Sequence, residues 1–196
     1  QSEAVVLLRG ESGTGKSVLA RILHGWSRRA DGPFAVVSCP ALPADLLESE
    51  LFGHVKGAFT GAVRDHGGRI GACEGGTLLL DEIGDLPPTL QPKLLRFIQD
   101  REYEPVGGTA TRRADVRVLA ATNVDLAAAV REGRFREDLF YRLNVVPVVV
   151  PPLRERREDI VPLAEHLLAF FGRSSHRSFP GFTDGAKAAL EAHAWP

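Results

Sequence analysis

Residues Gly10-Glu11-Ser12-Gly13-Thr14-Gly15-Lys16-Ser17 match the pattern GxxxxGK followed by Ser or Thr. They follow an apolar run, Val5–Leu8, and precede a helical pattern, which is the setting a phosphate-cradling loop requires. Glycines let backbone N–H groups close around phosphate oxygens, and a helix N-terminus adds favourable dipole. In that chemistry Lys16 reaches the β and γ phosphates and Ser17 ligates Mg²⁺. The bland alternative is a glycine-rich turn without a ligand. A nucleophile elbow at Ser12 fails, because GxSxG needs Gly where Thr14 stands.

Thr77-Leu78-Leu79-Leu80-Asp81-Glu82 is an apolar run ending in two carboxylates. Delivered to the C-terminal edge of a sheet, Asp81 would hold Mg²⁺ through water and Glu82 would orient or deprotonate an attacking water. Strand alternation points consecutive side chains to opposite faces and so separates the two roles. Asn123 closes a similar run from Val116. It could polarise that water or sense the γ-phosphate, or it could form an Asx turn leading to Asp125. Arg136 and Arg142 lie six residues apart, which on a helix turns their side chains about 120° from each other. They read either as arginine fingers for a neighbouring subunit's nucleotide or, more simply, as an Asp138–Arg142 i,i+4 ion pair. The Gly-flanked stretch Gly57-Ala58-Phe59-Thr60-Gly61-Ala62 could be an exposed partner-binding loop. Pattern alone prefers a turn with Phe59 in the core.

The elements that must position these residues follow from hydrophobic pattern. Val5–Leu8, Phe34–Val37, Thr77–Leu80, Val116–Ala121 and the Pro-bearing Val145–Val150 are short, nearly continuous apolar runs. Such runs predict strands buried on both faces of a parallel sheet. Val18, Leu19, Ile22, Leu23 and Trp26 form a helical stripe after the first run, and Leu90, Leu94, Leu95 and Ile98 another before the fourth. Alternating strand and helix predicts an α/β core over residues 1–150. From Pro151 to residue 196 the character is helical. Ile160, Leu163, Ala164, Leu167, Leu168 and Phe171 follow an amphipathic spacing with Pro162 in the first turn. Thr183 is placed to cap a second helix running to about His193.

Composition excludes other classes. The 196 residues are 44% hydrophobic with a net charge of −1, which suits one globular domain, or one domain plus a small appendage, rather than a disordered chain. It also argues against bulk electrostatic binding of nucleic acid. The charge-free stretch Leu143–Leu153 is broken by prolines and as a helix would span roughly 16 Å, short of a bilayer core. No signal peptide opens the chain, so the expected setting is intracellular. Two cysteines, Cys39 and Cys73, make no CxxC, and no two of the six histidines stand three or four residues apart. Neither a disulfide framework nor a helical zinc motif is signalled. A chain starting at Gln1, lacking Met and stopping at Trp195-Pro196 reads as a piece of a longer protein.

Gly10–Ser17, Glu50–Ala62, Gly75–Ile83, Val116–Leu126, Gly133–Leu143 and Pro151–Ile160, in that order, resemble the central domain of bacterial enhancer-binding proteins. These are the AAA+ ATPases that activate sigma-54 RNA polymerase, and GAFTGA at 57–62 is close to diagnostic for them. Leu90–Gly107 is most similar to the response-regulator branch of two-component systems, including alginate-type regulators. The resemblance implies a P-loop AAA+ core followed by the start of a small α-helical lid. It further implies ATP and Mg²⁺ as ligands, a ring (a hexamer) with ATP between subunits, and a cytoplasmic location without membrane. Residues 10–17 would bind the nucleotide, with Ser17 and Asp81 at Mg²⁺. Glu82, Asp81 and Asn123 would serve catalysis, and Arg136 and Arg142 would act in trans. Residues Gly57, Ala58, Phe59, Thr60, Gly61 and Ala62 would contact the sigma factor, remodelling a closed promoter complex into an open one.

Three departures accompany the resemblance. Ser17 stands where the family usually has Glu. Ser38 stands where it has an Asn that restrains the catalytic Glu. The chain stops before the GNVREL stretch, leaving outside it the second sensor arginine and the domains for regulation and enhancer DNA. Rival readings are a P-loop kinase, another AAA+ remodelling ATPase and a non-enzymatic nucleotide-binding module. A GTPase lacks its NKxD guanine reader, since Asn123-Val124-Asp125-Leu126 places Asp one position early.

Overall fold

The structure, a computed structural model, describes residues 3–175, 177 and 179–195. It divides into two compact units that meet in sequence at Val150 and Pro151.

In the first unit, strands β1 (Val6–Arg9), β2 (Phe34–Ser38) and β3 (Thr77–Asp81) are three members of a five-stranded parallel sheet. A hairpin of β4 (Glu102–Tyr103) and β5 (Arg112–Arg113) lies apart from it. The sheet is completed by β6 (Arg117–Thr122) and β7 (Val146–Val149), in the order β2-β3-β6-β1-β7. Period-2 alternation sorts the strand residues between two cores. Leu7, Val37, Leu78, Leu80, Val118 and Ala120 face one side. Val6, Leu8, Leu79, Leu119 and Ala121 face the other. The first side is covered by α2 (Ala44–Phe52), α3 (Gly68–Ala72), α4 (Gln91–Asp100), α5 (Leu126–Arg131) and α6 (Glu137–Leu143), through residues such as Leu51, Ile70, Phe97, Leu126 and Leu139. Helix α1 (Lys16–Gly25) covers the second, through Leu19, Ala20 and Leu23.

Two pattern-based expectations need correcting. Only the interior strands are buried on both faces. β7 pairs with β1 alone and is largely exposed, as an edge strand carrying Pro147 can be, because its outer backbone groups need no partner strand. The stripe on α1 also splits. Val18, Ile22 and Trp26 face outward, while the small Ala20 and the polar His24 turn inward, His24 through a 3.0 Å hydrogen bond between Nδ1 and Thr77 Oγ1.

The second unit contains α7 (Ile160–Ser174) and α8 (Asp184–Ala192). Pro162 does fall in the first turn of α7, and Thr183 caps α8 by accepting from Ala186 N at 3.3 Å. Of the α7 stripe only Ile160 is buried, whereas Leu163, Leu167 and Phe171 stand exposed.

Candidate active site

The C-terminal ends of β1, β3 and β6 gather the candidate residues at the edge where open parallel sheets place ligand sites. β1 runs directly into the glycine loop, and Gly10 N donates to Thr122 O at the end of β6. Gly15, the N-cap of α1, takes a left-handed φ of 94° that a side chain would disfavour. This turn sets Lys16 and Ser17 at the first helical positions, where free N–H groups and the dipole favour anions. Thr14, buried, ties the loop internally by donating from Oγ1 to Glu11 O at 2.9 Å.

Lys16 is almost wholly buried and donates from Nζ to Gly10 O (2.9 Å) and Glu11 O (3.1 Å), with Glu82 Oε1 at 3.6 Å. Ser17 Oγ donates to Asp81 Oδ2 at 3.1 Å. Lys16, Ser17, Asp81 and Glu82, distant in sequence, therefore converge. The two acids do take different partners, but strand alternation is not the cause. Glu82 leaves β3 with a left-handed φ of 51°, and its amide donates to Asp81 Oδ1. That turn swings Glu82 toward Lys16 and lets its Oε2 accept from Asn123 N at 3.0 Å.

Asn123 thus meets Glu82 through its backbone, while its side chain is exposed. It forms no Asx turn. Thr122 Oγ1 accepts from Val124 N instead, and Asp125 caps α5 by accepting from Ala127 and Ala128 N. Ser38 lies opposite Asp81 in register, and its hydroxyl makes no hydrogen bond among the described residues. Behind this edge Cys39 is buried, and its thiol is pushed up to about 12 by desolvation, then by the nearby carboxylates of Asp85, Asp81 and Glu82.

Arg136 and Arg142 are not joined to this cluster by any hydrogen bond or ion pair among the described residues. Arg136 is the N-cap of α6, and its guanidinium forks onto Asp138 at 3.0 and 2.7 Å. This hydrogen-bonded cation holds the Asp138 carboxyl below the usual carboxylate range. The i,i+4 pair expected for Asp138 is therefore absent. Asp138 sits in the first turn of α6, beside the N-cap arginine, whereas Arg142 is a turn further on. Arg142 is exposed and has no ion pair among the described residues.

Loop 57–62 is a closed, exposed turn. Gly57 N donates to Ala62 O at 2.8 Å and Ala62 N to Phe59 O at 3.0 Å. Phe59 is not in the core. It is 40% exposed and meets the His54 ring edge-on, with centroids 4.9 Å apart. Thr60 and Gly61 are exposed, and Ala62 is buried. The loop's base is strapped down. His54 and His66 exchange both backbone hydrogen bonds, Val55 N donates to Val106 O, and Val106 N donates to Gly53 O.

Sequence reasoning missed Gln91, a fully buried amide bonded to three backbone groups near these segments. The available signal was a polar residue at 91 on the face that also carries Leu94 and Ile98, spaced i, i+3, i+7.

A parallel sheet feeding a glycine loop, with lysine, serine and two acids converging behind it, has the arrangement of a P-loop nucleoside-triphosphatase. Residues 1–149 match the Sigma-54 interaction domain and residues 154–196 the AAA+ ATPase lid domain, so the chain belongs to the sigma-54 interaction family of AAA+ ATPases. It is 60% identical to the alginate biosynthesis transcriptional regulatory protein AlgB of Pseudomonas putida, covering 100% of this chain and 44% of that protein. Against the regulatory protein AtoC of Escherichia coli it is 56% identical, covering 100% and 42%. NtrX of Brucella abortus, solved in complex with ATP, superposes with a TM-score of 0.90 at 38% identity, over 99% of this chain and 42% of that one. The chain therefore spans less than half the length of these relatives. No helix among the described residues is long and apolar enough to cross a membrane.

Proposed function

We propose that this chain is the motor of a sigma-54-dependent transcriptional activator. Residues 1–150 bind and hydrolyse ATP, and residues 151–196 belong to the lid. Residues Gly10–Ser17 cradle the triphosphate, with Lys16 leaving its loop carbonyls for the β and γ phosphates. Glu82, held by Asn123 N, orients the attacking water. Ser17 and Asp81 offer two hard oxygen donors, a set suited to Mg²⁺ completed by phosphates and waters. Bound there, the ion would neutralise phosphate charge. Among the described residues no cluster of three or more His, Cys, Asp or Glu competes as a metal site.

Arg136 and Arg142 complete the nucleotide site of a neighbouring subunit in a ring, taken to be a hexamer. Among the described residues neither arginine is bonded to this chain's own phosphate loop, which supports that assignment. Hydrolysis then moves loop 57–62, which contacts sigma-54 RNA polymerase holoenzyme and converts the closed promoter complex to the open one in the cytoplasm. Enhancer DNA is held by a domain outside this chain. The observation that carries this reading is the loop itself: a closed turn with Thr60 and Gly61 exposed, anchored at its base and free at its tip.

The test is Phe59→Ala in the intact protein. Binding to sigma-54 in the presence of an ATP transition-state mimic should fall at least about tenfold, consistent with loss of an aromatic interface anchor. ATP turnover should stay within about twofold. Undiminished sigma-54 binding would overturn the role of the loop.

A further inference from the structure

Gln91, the first residue of α4, is only 1% exposed. Its Nε2 donates to Leu86 O at 3.0 Å and to Arg134 O at 3.1 Å, and its Oε1 accepts from Arg136 N at 2.8 Å. Both amide protons and the carbonyl are thus engaged, and all three partners are backbone groups. An apolar side chain at this position would leave Leu86 O, Arg134 O and Arg136 N without the partner that Gln91 gives them. A primary amide buried there costs desolvation and is compensated only by joining the two segments it bonds.

Those two segments are the ones that carry the chemistry. Leu86 closes the short turn that begins at Glu82, with Asp85 N donating to Glu82 O and Leu86 N to Ile83 O. Arg134 and Arg136 form the entry to α6, the helix that also carries Arg142. We infer that Gln91 is a positioning residue: it pins the arginine-bearing helix to the turn that follows the catalytic acid. The arginines a subunit gives to its neighbour are thereby held in a fixed relation to its own acidic edge. This inference rests on the proposed sharing of the nucleotide site between subunits.

The test uses the intact protein with Gln91→Met, which keeps the length and removes all three bonds. Gln91→Glu, which keeps the acceptor for Arg136 N, is the second variant should the first fold poorly. A shift of about 1 Å in a catalytic group can cost about 10²-fold. Gln91→Met should accordingly lose at least about tenfold in kcat, with KM for ATP little changed.

The deciding readout is mixing. Gln91→Met subunits supply Glu82, and Glu82→Gln subunits supply well-placed arginines. Mixed rings should hydrolyse ATP several-fold faster than the sum of the two variants alone. Arg142→Ala mixed with Glu82→Gln is the parallel control. Recovery in the control but not with Gln91→Met would overturn the positioning role, since a merely misfolded subunit rescues nothing. Full activity of Gln91→Met alone would overturn it too. Recovery in neither mixture would mean that the site is not shared, and the inference would fall with the reading beneath it.

Discussion

The phosphate-binding edge and the arginine-bearing helix differ in how they use their charges. At the edge Lys16, Asp81 and Glu82 are already engaged within the chain: Lys16 on loop carbonyls and near Glu82, Asp81 on Ser17, Glu82 on Asn123 N. Among the described residues the Arg136 guanidinium, at the N-cap of α6, is paired only with the exposed Asp138, and Arg142 on α6 has no ion pair. A buried cation or anion must be paired before ligand arrives, because the unpaired charge costs too much in a low-dielectric interior. An exposed arginine carries no such requirement and can wait in water for a partner outside the chain. This difference is what the proposed sharing of the site requires: charges settled within the chain at the edge, and arginines on α6 left in water.

The sharpest way to break this contrast is Arg142→Ala. An arginine finger is worth about 10³-fold or more in turnover, so kcat should fall by that order while equilibrium ATP binding to dilute protein is kept. Glu82→Gln should have the next largest effect, about 10²-fold or more on turnover, again with ATP still bound. Loss of binding in Arg142→Ala, measured by titration with a fluorescent ATP analogue, would merge the two regions into one site.

A smaller effect is expected at Gly107, where the strapped base of loop 57–62 meets the hairpin segment. Its φ is +73°, and an added Cβ would lie 2.7 Å from the Ala58 Cβ. Gly107→Ala should destabilise the fold by about 1–2 kcal/mol in denaturant titrations and speed amide exchange across residues 57–62. Exchange at Lys16 and Ser17 should be unchanged.

The smallest effect concerns Cys39 behind the acidic edge. Its thiol is raised from 9.0 to about 12 in the folded state. The folded protein therefore keeps a proton that the unfolded chain gives up. That contribution to stability is fully present below about pH 9 and is lost as pH rises toward 12. Alkaline unfolding curves of Cys39→Ala should be flatter across that window, and the native thiol should resist alkylation at pH 8.

Much of the edge was legible because its residues are sequential to their strands: an apolar run, then the polar groups that converge at its end. The glycine loop, Asp81, Glu82 and the strand order's raw material could be read directly from 5–17, 77–82 and 116–123. What escaped depended on contacts that hydrophobic pattern does not encode. Val18, Ile22 and Trp26 look like a buried stripe, yet Ala20 and His24 take the inner face because the sheet beneath α1 leaves room for a small residue and offers Thr77 as a partner. The left-handed turn at Glu82, the choice of Asp138 by Arg136 instead of Arg142, and the three bonds of Gln91 are likewise tertiary facts. The five-residue α3 and the two-residue strands β4 and β5 are too short to show any period.

The central claim is that the nucleotide site is completed by a second subunit. Its most direct test is ATP turnover per molecule as a function of protein concentration, with Arg142→Ala measured beside the parent. Specific activity that climbs with concentration in the parent, and stays near zero throughout for Arg142→Ala, is the result predicted. Specific activity independent of concentration, with Arg142→Ala as active as the parent, would contradict it and make the site self-contained.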